Sequence, residues 1–297
     1  MTISSINSKV KSRSHKLDAD NVKLQKFGFI FNQASVHTSR TMMFSELQLL
    51  FAFYNFELKP RQSQELNSNQ CLINFNIDKT DFHKAIIEEN CLGKPTFITR
   101  ALTARHLSTL YGLDPKLTIF RLLLYFWSQD EESRRLLAFL CAFSRDNLLQ
   151  AIAPVIIKMP LGSIVAPAKV AQIIESIFPH RFSPATLEST AQNINSTMTQ
   201  AGFLKGHRHK TRTAITPTTA IVSYALVLGY LTGLAGQSLF TSKFTNLLDC
   251  SEEVLLELTY KASHKDWLRI SRLGNITDVS FTSLLTGNEI RWLNEPN

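Results

Sequence analysis

Apolar residues recur at helical spacing along most of the chain, and the clearest run lies inside the stretch from Ala168 to Arg212. Leu187, Ala191, Ile194, Met198 and Ala201 follow one another at 4-3-4-3 spacing, which predicts one buried face of a helix. Ser183 is a good N-cap for it, and Pro184 fits the first helical position, where a missing N–H costs nothing. Gly202 predicts its end, because a left-handed C-terminal residue is cheapest as glycine. The opposite face carries Ser189, Gln192, Asn193, Ser196, Thr199 and Gln200, all polar and uncharged. A shorter helix precedes this one. A loop dense in Lys205, His207, Arg208, His209, Lys210 and Arg212 follows it. This order reads as a winged helix-turn-helix, with the polar face set to enter the major groove and read base edges. The basic wing would neutralise phosphates of double-stranded DNA.

The same reading along the rest of the chain predicts a mainly α protein. The expected class is a helical bundle with winged helix-turn-helix elements and short β-hairpin wings. Residues 1–40 form an expected flexible basic arm, with Lys9, Lys11, Arg13, Lys16, Lys23 and Lys26 exceeding Asp18 and Asp20. Residues 41–160 form an expected N-terminal helical bundle. Its helices begin at Ser45, at Thr80 or Asp81, after Pro95, after Pro115, at Glu131 and at Asn147. The second of these is expected to stop at Gly93, and Pro154 to kink the last. Cys71–Ile77 reads as a short strand or merely an extended segment. The helix pair around Gly93–Thr99 forms a second candidate helix-turn-helix, in which Lys94, Arg100 and Arg105 would be secondary phosphate contacts. Such pairs also occur in helical bundles that touch no DNA.

Residues 161–297 make up the winged-helix region, a buried apolar helix and a C-terminal helix-hairpin unit. Ala220–Gly236 is apolar on all sides, which suits a helix buried in a globular domain better than a membrane span. Ser251 caps an acidic helix with Glu252 and Glu253 in its first turn. Leu268–Phe281 alternates apolar and polar residues around Leu-Gly-Asn, the pattern of a β-hairpin.

Composition sharpens the expected partner. The 297 residues carry a formal net charge of +8. No Asp or Glu lies between Glu188 and Asp249, while Lys205, Arg208, Lys210, Arg212 and Lys243 all do. A single-sign field over a contiguous segment attracts polyanions. The cysteines, Cys71, Cys91, Cys141 and Cys250, have no zinc-like spacing and fit reduced thiols of a cytoplasmic protein. The amino-terminal residues lack the apolar core of a secretory signal. No phosphate loop, dinucleotide fingerprint, HExxH or GxSxG occurs, so no catalytic residue, cofactor or small-molecule substrate is expected. His207 and His209 have no adjacent carboxylate or cysteine and read as wing residues rather than metal ligands.

The chain resembles the BREX phage-defence protein A family, small helical DNA-binding accessory proteins of bacterial phage-exclusion systems. Three places carry the resemblance: IIEENCLGKPTFITRALTARHLSTLYGLDP, RFSPATLESTAQNINSTMTQAGFL, and the tail LLDC…LLELTYKA…LGNITDVSF. Together they cover roughly residues 80–285, and the first eighty residues look like an addition to the pattern. The resemblance implies an all-α protein with winged-helix elements that binds DNA as an accessory component of a defence system, beside other defence subunits, and is neither nuclease nor methyltransferase. The alternative from the residues alone is a protein-interaction scaffold without direct DNA binding.

Overall fold

The computed structural model describes residues 21–30, 34–54, 77–274 and 276–295. Cys71–Ile77 therefore lies almost wholly outside the described residues, as do Lys9, Lys11, Arg13 and Lys16 of the expected arm. The chain is mainly helical, with two small antiparallel hairpins. After a helical stretch over residues 21–27 come six helices: α1 (Phe44–Phe53), α2 (Lys79–Ile87), α3 (Phe97–Tyr111), α4 (Thr118–Gln129), α5 (Arg134–Arg145) and α6 (Asn147–Ile157). Two more, α7 (Pro167–Ile177) and α8 (Pro184–Gln200), lead into the hairpin β1 (Leu204–Lys205) and β2 (Thr211–Arg212). Then come α9 (Thr219–Leu231), two 3-10 turns, α10 (Glu252–Ser263), the hairpin β3 (Arg269–Leu273) and β4 (Ile276–Ser280), and α11 (Gly287–Asn294).

Helix ends follow short-range hydrogen bonding. Asp78 with Asp81, Thr96 with Thr99 and Thr286 with Glu289 form reciprocal capping boxes at α2, α3 and α11. Ser183, Thr218 and Ser251 cap α8, α9 and α10. Gly112 ends α3 at φ +93°. The expected stop of the second helix at Gly93 is too late. That helix ends at Ile87, because Asn90 takes a left-handed turn and its carboxamide accepts from the Lys94 amide. The fifth helix begins at Arg134, three residues beyond Glu131.

Buried apolar side chains from Phe27 to Leu285 join in a single cluster. The expected division near residue 160 is therefore no division of the core. α9 is buried on every side and packs against α4 and α5, and its Tyr224 hydroxyl donates to the Ile119 carbonyl over 2.8 Å. At 13 residues α9 is a core helix, and among the described residues no helix is long and apolar enough to cross a membrane. Arg121 of α4 holds Glu289 of α11 in a two-pronged buried ion pair at 2.6 and 2.7 Å.

The described part of residues 1–40 is not a free arm. Phe27, Phe29, Val36 and His37 are buried. Phe27 packs on Trp292, and the Lys23 ammonium donates to the carbonyls of Leu293 and Glu295, both at 3.1 Å. The apolar side chains of Phe27, Phe29 and Val36 tie the described part of the expected arm into the core.

Candidate nucleic-acid interface

α8 forms where cap, first-turn proline and apolar period agree. Ser183 accepts from the Thr186 amide, and Ala191, Ile194, Met198 and Ala201 are buried, with Leu187 half-buried. The buried side also takes in Thr190, Asn195 and Thr197. Asn195 donates to the Val165 carbonyl at 2.6 Å, which ties α8 to the extended residues ahead of α7. Those residues pair with β2: the Val165 amide donates to the Lys210 carbonyl, and the Arg212 amide to the Ser163 carbonyl. Gly202 turns the chain at φ +95°, and Leu204 then sits opposite Arg212 in the hairpin.

The hairpin loop depends on Gly206. At φ +108° a β-carbon there would lie 2.2 Å from the backbone oxygen of His209, so no side chain fits. This tight return presents Lys205, His207, Arg208 and His209 to solvent. None of the four makes an ion pair among the described residues. Lys210 is half-buried, and burial lowers its pKa.

Arg212 is the exception within the basic loop. Its guanidinium is buried against the carbonyls of Ile157, Phe203 and Thr213 and pairs with Asp249. The expected phosphate contact is thus a structural cation. The acid-free interval in the sequence hid the pairing, because Asp249 closes that interval and folds back onto Arg212 within it.

The polar face of α8 is only partly open. Ser189 and Gln192 are exposed, and Ser196 and Thr199 are half-buried. Glu188 shares the exposed side and accepts from the Gln192 carboxamide at 3.3 Å, so the face is not uncharged. Asn193 and Gln200 are committed elsewhere. The Asn193 carboxamide donates to the His37 carbonyl at 3.1 Å, and the Gln200 side-chain oxygen accepts from the Phe44 amide at 3.2 Å. Both bonds come from the segment 35–44, which crosses one side of α8. Two of the six expected base-reading positions are thus taken up by contacts within the chain.

The crossing segment is pinned by a network that sequence reading missed. His37 Nδ1 lies 2.9 Å from an Asp146 carboxylate oxygen, and Nε2 lies 3.0 Å from the Thr197 hydroxyl. Ser35 donates to the same carboxylate, whose other oxygen accepts from the amides of Leu148 and Leu149. Acid, imidazole and hydroxyl in line are the parts of a nucleophilic relay. Here His37 and Thr197 are completely buried, and the Thr197 oxygen also accepts from the Met42 amide at 2.9 Å. No substrate reaches that hydroxyl, so the network serves as a pin. Burial alone would raise the Asp146 pKa; the His37 ring, the His37 and Ser35 hydrogen bonds and the amide donors instead bring it down to about 2.

At the second helix pair, Lys94 pairs with Glu46 at 3.0 Å and Arg100 donates to the Ile87 carbonyl at 2.8 Å. Two of the three expected secondary phosphate contacts are therefore turned to intramolecular partners, while Arg105 is exposed. Among the described residues no group of three His, Cys, Asp or Glu side chains is placed to hold a metal, and Cys91, Cys141 and Cys250 are free thiols. Set beside known proteins, the chain matches no family model and no curated sequence.

Proposed function

We propose that this chain is a non-catalytic DNA-binding protein that acts as an accessory component of a bacterial phage-defence system of the BREX type. Its DNA-binding unit runs from α6 to β2 as a winged helix. The order helix, extended segment, helix, helix, hairpin supports this reading, as does the pairing of the extended segment with the second hairpin strand. The observation that carries the proposal is the wing: four exposed basic or titratable side chains in five residues, held out on a glycine turn, with no ion pair among the described residues. A duplex supplies the missing negative charge. In this reading α8 approaches the major groove along Ser189, Gln192, Ser196 and Thr199. Lys205, His207, Arg208, His209 and Lys210 grip the adjoining backbone.

Removing two wing cations tests this directly. Arg208→Ala with Lys210→Ala should weaken binding to all duplex sequences alike and reduce the salt slope by about 2. A salt-titrated mobility shift showing wild-type affinity and slope would end the proposal.

The rival role, a scaffold for partner proteins, draws on α10. Val254 and Tyr260 are exposed there beside Glu253 and Glu257, a mixed apolar and acidic surface. Partner proteins that co-purify through a salt wash, from a chain with no duplex affinity, would favour that role.

A further inference from the structure

A cleft of about 300 Å³ opens between α2 and α3, outside the winged segment. Lys79, His83, Arg105 and Arg145 line it, together with the hydroxyl-bearing Ser108 and no carboxylate. Lys79 and Arg105 are exposed at its rim and make no ion pair among the described residues. The acids of α2, Asp78 and Asp81, are engaged in the capping box at its start.

Arg145 forms the inner wall and is 7% exposed. A buried cation ordinarily has an anionic partner. This one has none among the described residues: its donors go to the carbonyls of Gly28, Ser108 and Thr109. Two of those carbonyls end α3, whose dipole holds the guanidinium in place while its charge stays unneutralised. His83 bonds the Ser108 hydroxyl at 2.9 Å, which fixes its ring at the cleft wall. Burial, and then the charge of Lys79, hold His83 below the usual histidine range. Next to the cleft, burial followed by the charges of Arg40 and Arg105 does the same to His106.

We propose that this cleft is a phosphate site. Lys79 and Arg105 are the rim contacts, Ser108 is a hydroxyl donor and Arg145 is the fixed charge behind them. The apolar wall of Ile87 and Ala104 gives an attached base or sugar a surface to lie on. The volume is at the lower end for a small-molecule pocket, enough for a phosphate with one such group. The phosphate belongs either to a free phosphorylated ligand or to a nucleic-acid backbone, and one set of titrations separates the two.

The full chain and its Lys79→Ala, Arg105→Ala double variant would be titrated by calorimetry with inorganic pyrophosphate, with AMP, and with a DNA duplex at low salt. A charge-matched control, Lys84→Ala with Lys116→Ala, removes two exposed cations that do not line the cleft. Tenfold or greater loss of pyrophosphate or AMP affinity in the cleft variant alone identifies a free phosphorylated ligand. Loss of duplex affinity in the cleft variant alone, with no small-ligand binding to any form, assigns the site to a backbone phosphate. The proposal is overturned if cleft and control variants behave alike with all three probes, or if no probe binds. Arg208→Ala with Lys210→Ala should leave pyrophosphate binding unchanged, so the cleft and the wing succeed or fail separately.

Discussion

Arg212 and Arg208 lie four residues apart in one basic run, yet the fold gives them opposite roles. Arg208 is exposed, whereas the buried Arg212 guanidinium donates to the carbonyls of Ile157, Phe203 and Thr213. Arg212→Met should therefore lower stability by about 2 kcal/mol, since it leaves the Ile157 carbonyl without its donor and removes a buried packing cation. The check is chemical denaturation; a midpoint equal to wild type would return Arg212 to the surface contacts. Nothing local distinguishes these arginines in the sequence, because the partner of Arg212 is 37 residues away. Asp146 also acts at this scale. Its folded pKa of about 2 is below the ordinary carboxylate value of 3.8, so the unfolded chain takes up a proton first as pH falls. The stabilisation is complete above the ordinary value and is lost as pH falls through about 2. It is worth on the order of 2 kcal/mol. Denaturation of Asp146→Asn should show a flatter stability profile than wild type between pH 5 and pH 2, and parallel profiles would contradict the network.

Elements with agreeing local signals were legible in the sequence. α8 was readable from Ser183, Pro184 and the apolar period, and the β3–β4 hairpin from alternation around Gly274. The segment 35–44 was not. It has no period, and apart from the His37 ring on Thr197 it meets α8 through backbone groups that any sequence carries: the His37 carbonyl and the amides of Met42 and Phe44. Its presence splits two neighbours that the helical pattern put on one face. Gln192→Ala should alter base preference in a randomised-site selection while leaving the melting temperature within a degree or two of wild type. Asn193→Ala should instead lower stability by roughly 1 kcal/mol, through the lost bond to the His37 carbonyl, with base preference unchanged. Identical selections from Gln192→Ala and wild type would reduce α8 to a packing element.

Over the whole molecule, the sequence pattern suggested two regions, but the packing produces one. Tyr224 reaches the Ile119 carbonyl, Arg121 holds Glu289, and α9 fills the space between the helices on either side. An apolar helix such as α9 reads the same whether its surroundings are protein or lipid, and only the neighbours settle which. Unfolding followed by tryptophan fluorescence and by helical circular dichroism should give coincident single transitions. Two separated transitions would restore the division near residue 160.

Phe27 against Trp292 joins side chains from opposite ends of the described chain, and Lys23 and Leu293, bonded beside them, are 270 residues apart. On the ribosome, Phe27 emerges well before Trp292 and waits for the intervening codons to be translated before its own binding surface exists. Its ring must spend that interval in water or in chaperone hands. Completing this corner therefore follows synthesis of the whole interval between the two rings, and a nascent chain stalled before Trp292 carries an unsheltered aromatic at Phe27.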